Sequence, residues 1–247
     1  MWIVAHFQPT SLFSLRPALS TASGAQSLLV PTPFAIKMAL LNSVLGQFGV
    51  AAGAPVWSVI RDLEIALDLP DMLVVNKIFI KIQRPTRFNR NKPEEFAEVM
   101  AANIYPFNPT IAFREFVQFG GEVGIAVRLG QQRDSHTQVL LEAFKQINYL
   151  GKRGSFWQLQ QQPETRVDLD VHWTMITHQQ TVLQSDGTLQ ILDDCGPKLS
   201  WDHVNIYSGK AIKINADERI LRPIVLPYRL ARSSYRYTLY ERIEATP

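Results

Sequence analysis

Strand, helix, strand, strand, helix, strand: that order of elements through residue 160 predicts an α+β protein of the ferredoxin-like kind, the split βαβ arrangement also found in RNA-recognition domains. Two observations carry it. Apolar residues recur at helical spacing in two stretches, Ile36–Val44 and Val139–Ile147. Between and around them lie β-branched or alternating runs at 2–8, 73–83, 111–119, 122–129 and 155–160. The remaining residues, 161–247, read as a β-rich C-terminal region, so the expected division is 1–160 and 161–247. The fold serves many functions, so function has to come from particular side chains.

Trp2–Gln8 reads as the first strand, followed by a Ser-, Pro- and Ala-rich loop whose one charge is Arg16. Thr32 is placed to cap a helix with Pro33 at its first position. Ile36, Leu40 and Val44 mark its buried side. After a glycine joint, Pro55–Asp68 gives a second helical pattern, and Leu73–Gln83 alternates as a strand. Residues 84–110 form an irregular insertion with a short helix from Pro93, Glu94 and Glu95 lying in its first turn. Gly120-Gly121 between two apolar runs predicts a hairpin. Ser135 and Gln138 suit a capping box for a helix running to Leu150. Beyond residue 160, Val167–Thr174 alternates as a half-exposed strand. Asp186-Gly187 marks a hairpin, Asp194–Pro197 a turn, and Arg222–Leu230 and Tyr235–Ile243 read as closing strands.

At 247 residues, 46% hydrophobic and 19% charged, the chain is long enough for a substantial core. Cys195 is the only cysteine, which excludes an internal disulfide and a multi-cysteine zinc site. Met38–Ile60 is uncharged and long enough to span a bilayer, but polar residues, glycines and Pro55 interrupt it, and two helices are expected instead. The N-terminus lacks a basic leader pattern, so a soluble, cytoplasmic chain with no membrane partner is expected.

Known catalytic patterns are absent: no nucleophile elbow, Walker loop, dinucleotide fingerprint or paired-histidine zinc helix. Asp168, Asp170 and His172 fall on one strand face and suit a cation, but a solvated face explains them equally well, and no metal site or cofactor is assigned.

Basic residues give a stronger lead. No acid falls between Asp71 and Glu94, a stretch holding Lys77, Lys81, Arg84, Arg87, Arg90 and Lys92. None falls between Glu218 and Glu241, where Arg219, Arg222, Arg229, Arg232 and Arg236 are interleaved with tyrosines. In 144–159, Gly151 is set to end a helix with positive φ, Lys152 and Arg153 project from a turn, and Phe156 and Trp157 open a strand on opposite faces. Cations from a glycine turn beside an exposed aromatic suit a phosphate backbone and a stacked base. A helix stop with two solvated cations accounts for the same residues.

The first strand, the Arg16-Pro17 loop, Val-Pro-Thr-Pro at 30–33 and Tyr-Leu-Gly-Lys-Arg-Gly-Ser-Phe at 149–156 together resemble the Cas-five family, RAMP-type subunits of type I CRISPR effector complexes. The resemblance covers roughly residues 1–160. It implies a ribonucleoprotein subunit that caps the 5′ handle of the CRISPR RNA, adjoins the backbone and large subunits, and lies indirectly near target DNA at the PAM. It also implies that the insertion at 84–110 occupies the place of a thumb against the RNA. One branch of that family cuts repeat RNA without metal, and a metal-independent endoribonuclease is the alternative activity, although no matching tyrosine, lysine and histidine set is found here. On this reading no residue is assigned a catalytic role. The residues expected at RNA are Arg16 in the N-terminal loop, Lys81, Arg84, Arg87 and Arg90 at the insertion, Lys152 and Arg153 in the glycine turn, and Arg229, Arg232 and Arg236 near the C-terminus.

Overall fold

Trp2–Pro9 forms β1, which is buried on both sides: Ile3, Ala5 and Phe7 face one apolar layer while Trp2 and Val4 face another. The computed structural model describes residues 1–19, 26–89, 91–130, 136–178, 187–214 and 216–243. β1 pairs antiparallel with β5 (Val123–Arg128) on one side and β6 (Trp157–Leu159) on the other. β5 in turn pairs with β2 (Glu64–Asp68). The spatial order β6-β1-β5-β2 is the all-antiparallel order of a split βαβ sheet, with its fourth strand beside its first. The fold is therefore ferredoxin-like, as the element order predicts.

Two helices cover one face of that sheet. α1 (Pro33–Phe48) begins where Thr32 accepts the Ala35 N–H at 3.1 Å, with Pro33 in the first turn, and it buries Ile36, Leu40 and Val44 as spaced. Gly49, at φ +81°, ends it, and a short turn leads into α2 (Gly53–Arg61). The uncharged stretch is thus two helices, and among the described residues no helix is long and apolar enough to cross a membrane. The expected helix to Asp68 stops at Arg61, because Glu64–Asp68 is taken into the sheet beside β5 as a core strand. α3 (Pro93–Ala101) lies within the insertion, and α4 (Thr137–Lys145) packs on α1 and β1. The expected run of α4 to Leu150 is shorter by five residues, ending at Lys145, and the proposed cap Ser135 lies outside the described residues.

A second sheet continues the first. β3 (Met72–Pro85) pairs with β4 (Phe107–Phe119), Leu73 facing Phe119 and Pro85 facing Phe107. The β2–β5 ladder ends at Asp68 facing Gly124 in the same register, so β2–β3 and β4–β5 are one ribbon broken where it changes sheet. This overturns the expected hairpin: Gly120-Gly121 passes the chain between sheets, and β4 does not pair with β5. A Cβ on Gly120 would come within 2.9 Å of the Met72 carbonyl oxygen, so only glycine fits that crossing. At the far end of the ribbon, Phe88, Phe96 and Tyr105 pack with centroids 5.2–6.0 Å apart and seat α3.

From residue 161 on, the chain adds to both sheets. β7 (Glu164–Arg166) pairs with β1 and β8 (Trp173–Met175) with β2. The single strand expected at 167–174 is absent; Val167 and Val171 are 79% and 78% exposed, because a turn at Asp170, whose carboxylate accepts the His172 N–H at 2.9 Å, interrupts the alternation. β9 (Thr188–Cys195) and β10 (Arg219–Leu226) form their own ladder. The run expected as one strand from Arg222 breaks at Pro227, and β11 (Tyr228–Ser233) and β12 (Tyr237–Arg242) extend the second sheet in the order β11-β12-β3-β4. The hairpin expected at Asp186-Gly187 falls partly outside the described residues.

Candidate nucleic-acid interface

The glycine turn is built by two chain segments far apart in sequence. Tyr149 and Phe156 bridge antiparallel, and the Ser155 N–H donates to the Lys152 carbonyl at 3.0 Å, closing a tight turn over 152–155. Gly151 and Gly154 sit at φ +73° and +101°, where side chains are strained. Gly151 thus has the positive φ expected of it, but as part of this turn and not as a helix cap, since α4 has already ended. The N-terminal loop runs alongside: the Ser11 hydroxyl donates to the Gly154 carbonyl at 2.7 Å and accepts the Phe156 N–H at 2.6 Å. The Thr10 N–H donates to the Phe156 carbonyl at 3.0 Å. A Cβ at Gly151 would lie 3.2 Å from Leu15, the residue before Arg16. The fold thereby brings the Arg16 loop against the turn that carries Lys152 and Arg153.

Below the turn, Trp157 is buried at 2% exposure and meets Phe7, Phe13 and Phe119 edge-on at 5.3–6.5 Å. Phe156, its neighbour, is 54% exposed. One aromatic anchors the turn to both sheets and the other stands open beside the cations, as the strand alternation requires. Lys152 and Arg153 are exposed, and neither forms an ion pair with another described residue. Arg16 is exposed but engaged.

The other cations separate into two places. Lys81 and Arg84 lie on the outer part of β3 and Arg87 just beyond it, all exposed; Arg90 lies outside the described residues. Arg229 and Arg232 are on β11, Arg229 within 3.5 Å of Glu241, and Arg236 precedes β12 at the root of the β3–β4 arm. Lys77, Phe79, Phe113, Arg114, Tyr235 and Arg236 contribute to an open groove of about 920 Å³ there.

Arg219 and Arg222 of the second acid-free run, and Arg242 just after it, serve the fold. Arg219 pairs with Asp193 at 2.6 Å and stacks on Phe34 at 4.3 Å, Arg222 pairs with Asp194 at 2.9 Å, and Arg242 pairs with Asp68 at 3.2 Å. Asp194 also holds the buried ammonium of Lys37 at 2.6 Å, tying α1 to β9. Sequence reasoning missed this cluster, because Asp193 and Asp194 lie outside the runs they neutralise. It missed Ser11 as well, a polar loop residue whose partners are more than 140 positions away. Among the described residues no group of three or more His, Cys, Asp or Glu side chains is gathered to hold a metal.

Fold and surface together define a ferredoxin-like protein with a basic glycine turn and a long two-stranded arm. No family model matches the chain. It is similar to CRISPR-associated protein Cas5 of Archaeoglobus fulgidus, 22% identical over 218 residues that cover 85% of this chain and 86% of that protein. The resemblance read from the sequence is borne out by this curated relative. Two solved structures align over 98% of this chain and 91% of theirs: a CRISPR protein from Archaeoglobus fulgidus (13% identity, TM-score 0.36) and a chain of a CRISPR RNA-guided surveillance complex (12% identity, TM-score 0.45). At those scores neither adds to the strand order, which carries the fold by itself.

Proposed function

We propose that this chain is a CRISPR RNA-binding subunit of a type I effector complex, capping the 5′ handle of the guide and docking the backbone and large subunits. The observation that carries the reading is the turn at 151–154, whose backbone is tied down by Ser11 and flanked by the buried Trp157, while its two cations and the Phe156 ring stay exposed. A fixed backbone matters because a turn that is already ordered loses less entropy when its cations meet phosphates. Lys152, Arg153 and the adjacent Arg16 meet phosphates, and Phe156 offers a face for one base. The Cas5 relative supports the CRISPR assignment.

Footprinting on repeat-derived CRISPR RNA in EDTA tests the proposal. Protection confined to the 5′ handle, lost in Lys152→Ala/Arg153→Ala, is the expected result. Protection spread evenly along the RNA would overturn handle capping, and discrete metal-independent cleavage would favour a repeat-processing nuclease.

A further inference from the structure

The arm ends in an unfinished sheet. β12 pairs with β3 only as far as Tyr237 facing Asn76, and the last bond between them runs from the Lys77 N–H to the Arg236 carbonyl at 2.7 Å. Beyond that point β3 continues to Pro85 with β4 as its only strand partner among the described residues. In an antiparallel ladder the backbone groups of alternate residues point to opposite edges. Since Lys77 points to the β12 side, Phe79, Lys81 and Gln83 present their N–H and C=O groups along the same open edge. The edge of β4 is different. Phe13 and Val117 exchange both backbone bonds there at 2.7–2.8 Å, which places Pro109 among the outward residues and removes a donor from that edge.

A two-stranded ribbon is marginal by itself in water, and this one is apolar on both faces: Ile78 is 43% exposed, Phe79 61%, Ile111 58% and Phe113 60%. Alternating main-chain donors and acceptors match another main chain better than they match phosphates, whose oxygens accept only. Lys81 sits mid-edge with no described ion pair, and a second copy of this edge would set lysine against lysine. A strand bearing an acid there would be attracted. We propose that the open edge of β3 over Phe79–Gln83 receives an extended strand from another protein subunit, with an acidic side chain opposite Lys81 and apolar ones opposite Ile80 and Ile82. This is strand addition, and it stands apart from RNA binding at the glycine turn.

Amide exchange on the full chain, with and without a short peptide alternating isoleucine with glutamate and valine, tests it. Exchange at Phe79, Lys81 and Gln83 should slow at least about tenfold at saturation, while Ile80 and Ile82, already bonded to β4, stay unchanged. Lys81→Glu should weaken the acidic peptide by about tenfold and favour a lysine-substituted one. Lys81→Pro, which removes one outward N–H, should abolish binding of both, with the Ile80 and Ile82 amides reporting that the ribbon survives. Absence of the alternating pattern at millimolar peptide would overturn the proposal. So would a single-stranded RNA that protects the arm when the peptide does not.

Discussion

Ser11 and Gly154 are joined by a 2.7 Å hydrogen bond that links the N-terminal loop to the turn carrying Lys152 and Arg153. The same hydroxyl accepts the Phe156 N–H, so one side chain fixes the turn on both flanks. Ser11→Ala should cost about 1–2 kcal/mol if both neutral bonds contribute their usual net share. Exchange of the Phe156 amide should quicken, with most of the remaining amides unaffected. An unchanged Phe156 amide would show that the loop does not hold the turn.

Gly151→Ala tests the turn from its backbone. The φ of +73° and the 3.2 Å approach to Leu15 leave no relaxed position for a Cβ. A loss of about 1–2 kcal/mol in denaturant unfolding is expected. Gly154→Ala meets no neighbouring atom within 4 Å, so its cost should come from the φ of +101° alone.

Lys37→Met should be among the more damaging single changes in the chain. It leaves the buried Asp194 carboxylate with Arg222 but without its 2.6 Å ammonium partner. Removing one side of a buried pair costs about 3–5 kcal/mol, and the surviving Arg222 contact places the expected loss near the lower end. A urea midpoint within experimental error of the parent chain would contradict this.

Cys195 gives a pH prediction. Burial pushes its thiol up from 9.0 to about 12, with Lys37 acting in the opposite direction. Below about pH 9 both folded and unfolded chains keep the proton, so stability is unaffected. Above that the unfolded chain loses it first, and stability should fall as the pH climbs toward 12. Burial raises the Tyr228 hydroxyl too, which adds to the loss in the same direction. Unfolding midpoints from pH 8 to 10.5 check this, and Cys195→Ala should flatten part of the fall. Rapid labelling of the folded chain by a thiol reagent at pH 8 would contradict the burial.

The ferredoxin-like core was legible because its signals are local: the Thr32-Pro33 cap, the spacing of Ile36, Leu40 and Val44, the apolar run of β1 and the alternation in β3 all act within a few residues. Glu64–Asp68 was misread as helix because its strand character comes from β5, about 60 positions away. Gly120-Gly121 looked like a hairpin because two apolar runs flank it, yet each run pairs in a different sheet. Half of the candidate site was visible, namely the glycines, the cations and Phe156. The Ser11 clasp, and the acids that absorb Arg219, Arg222 and Arg242, depend on contacts that no local pattern encodes.

The salt dependence of RNA binding tests the central claim most directly. Affinity for a single-stranded 5′-handle RNA would be measured across a salt series for the parent chain and for Lys152→Ala/Arg153→Ala. If both side chains neutralise phosphates, the double variant binds more weakly at low salt, and its slope of log affinity against log salt is shallower by about 1.4, or about 0.7 for each phosphate lost. Equal affinity and equal slope in a variant with unchanged thermal stability would contradict the claim that this turn holds the RNA.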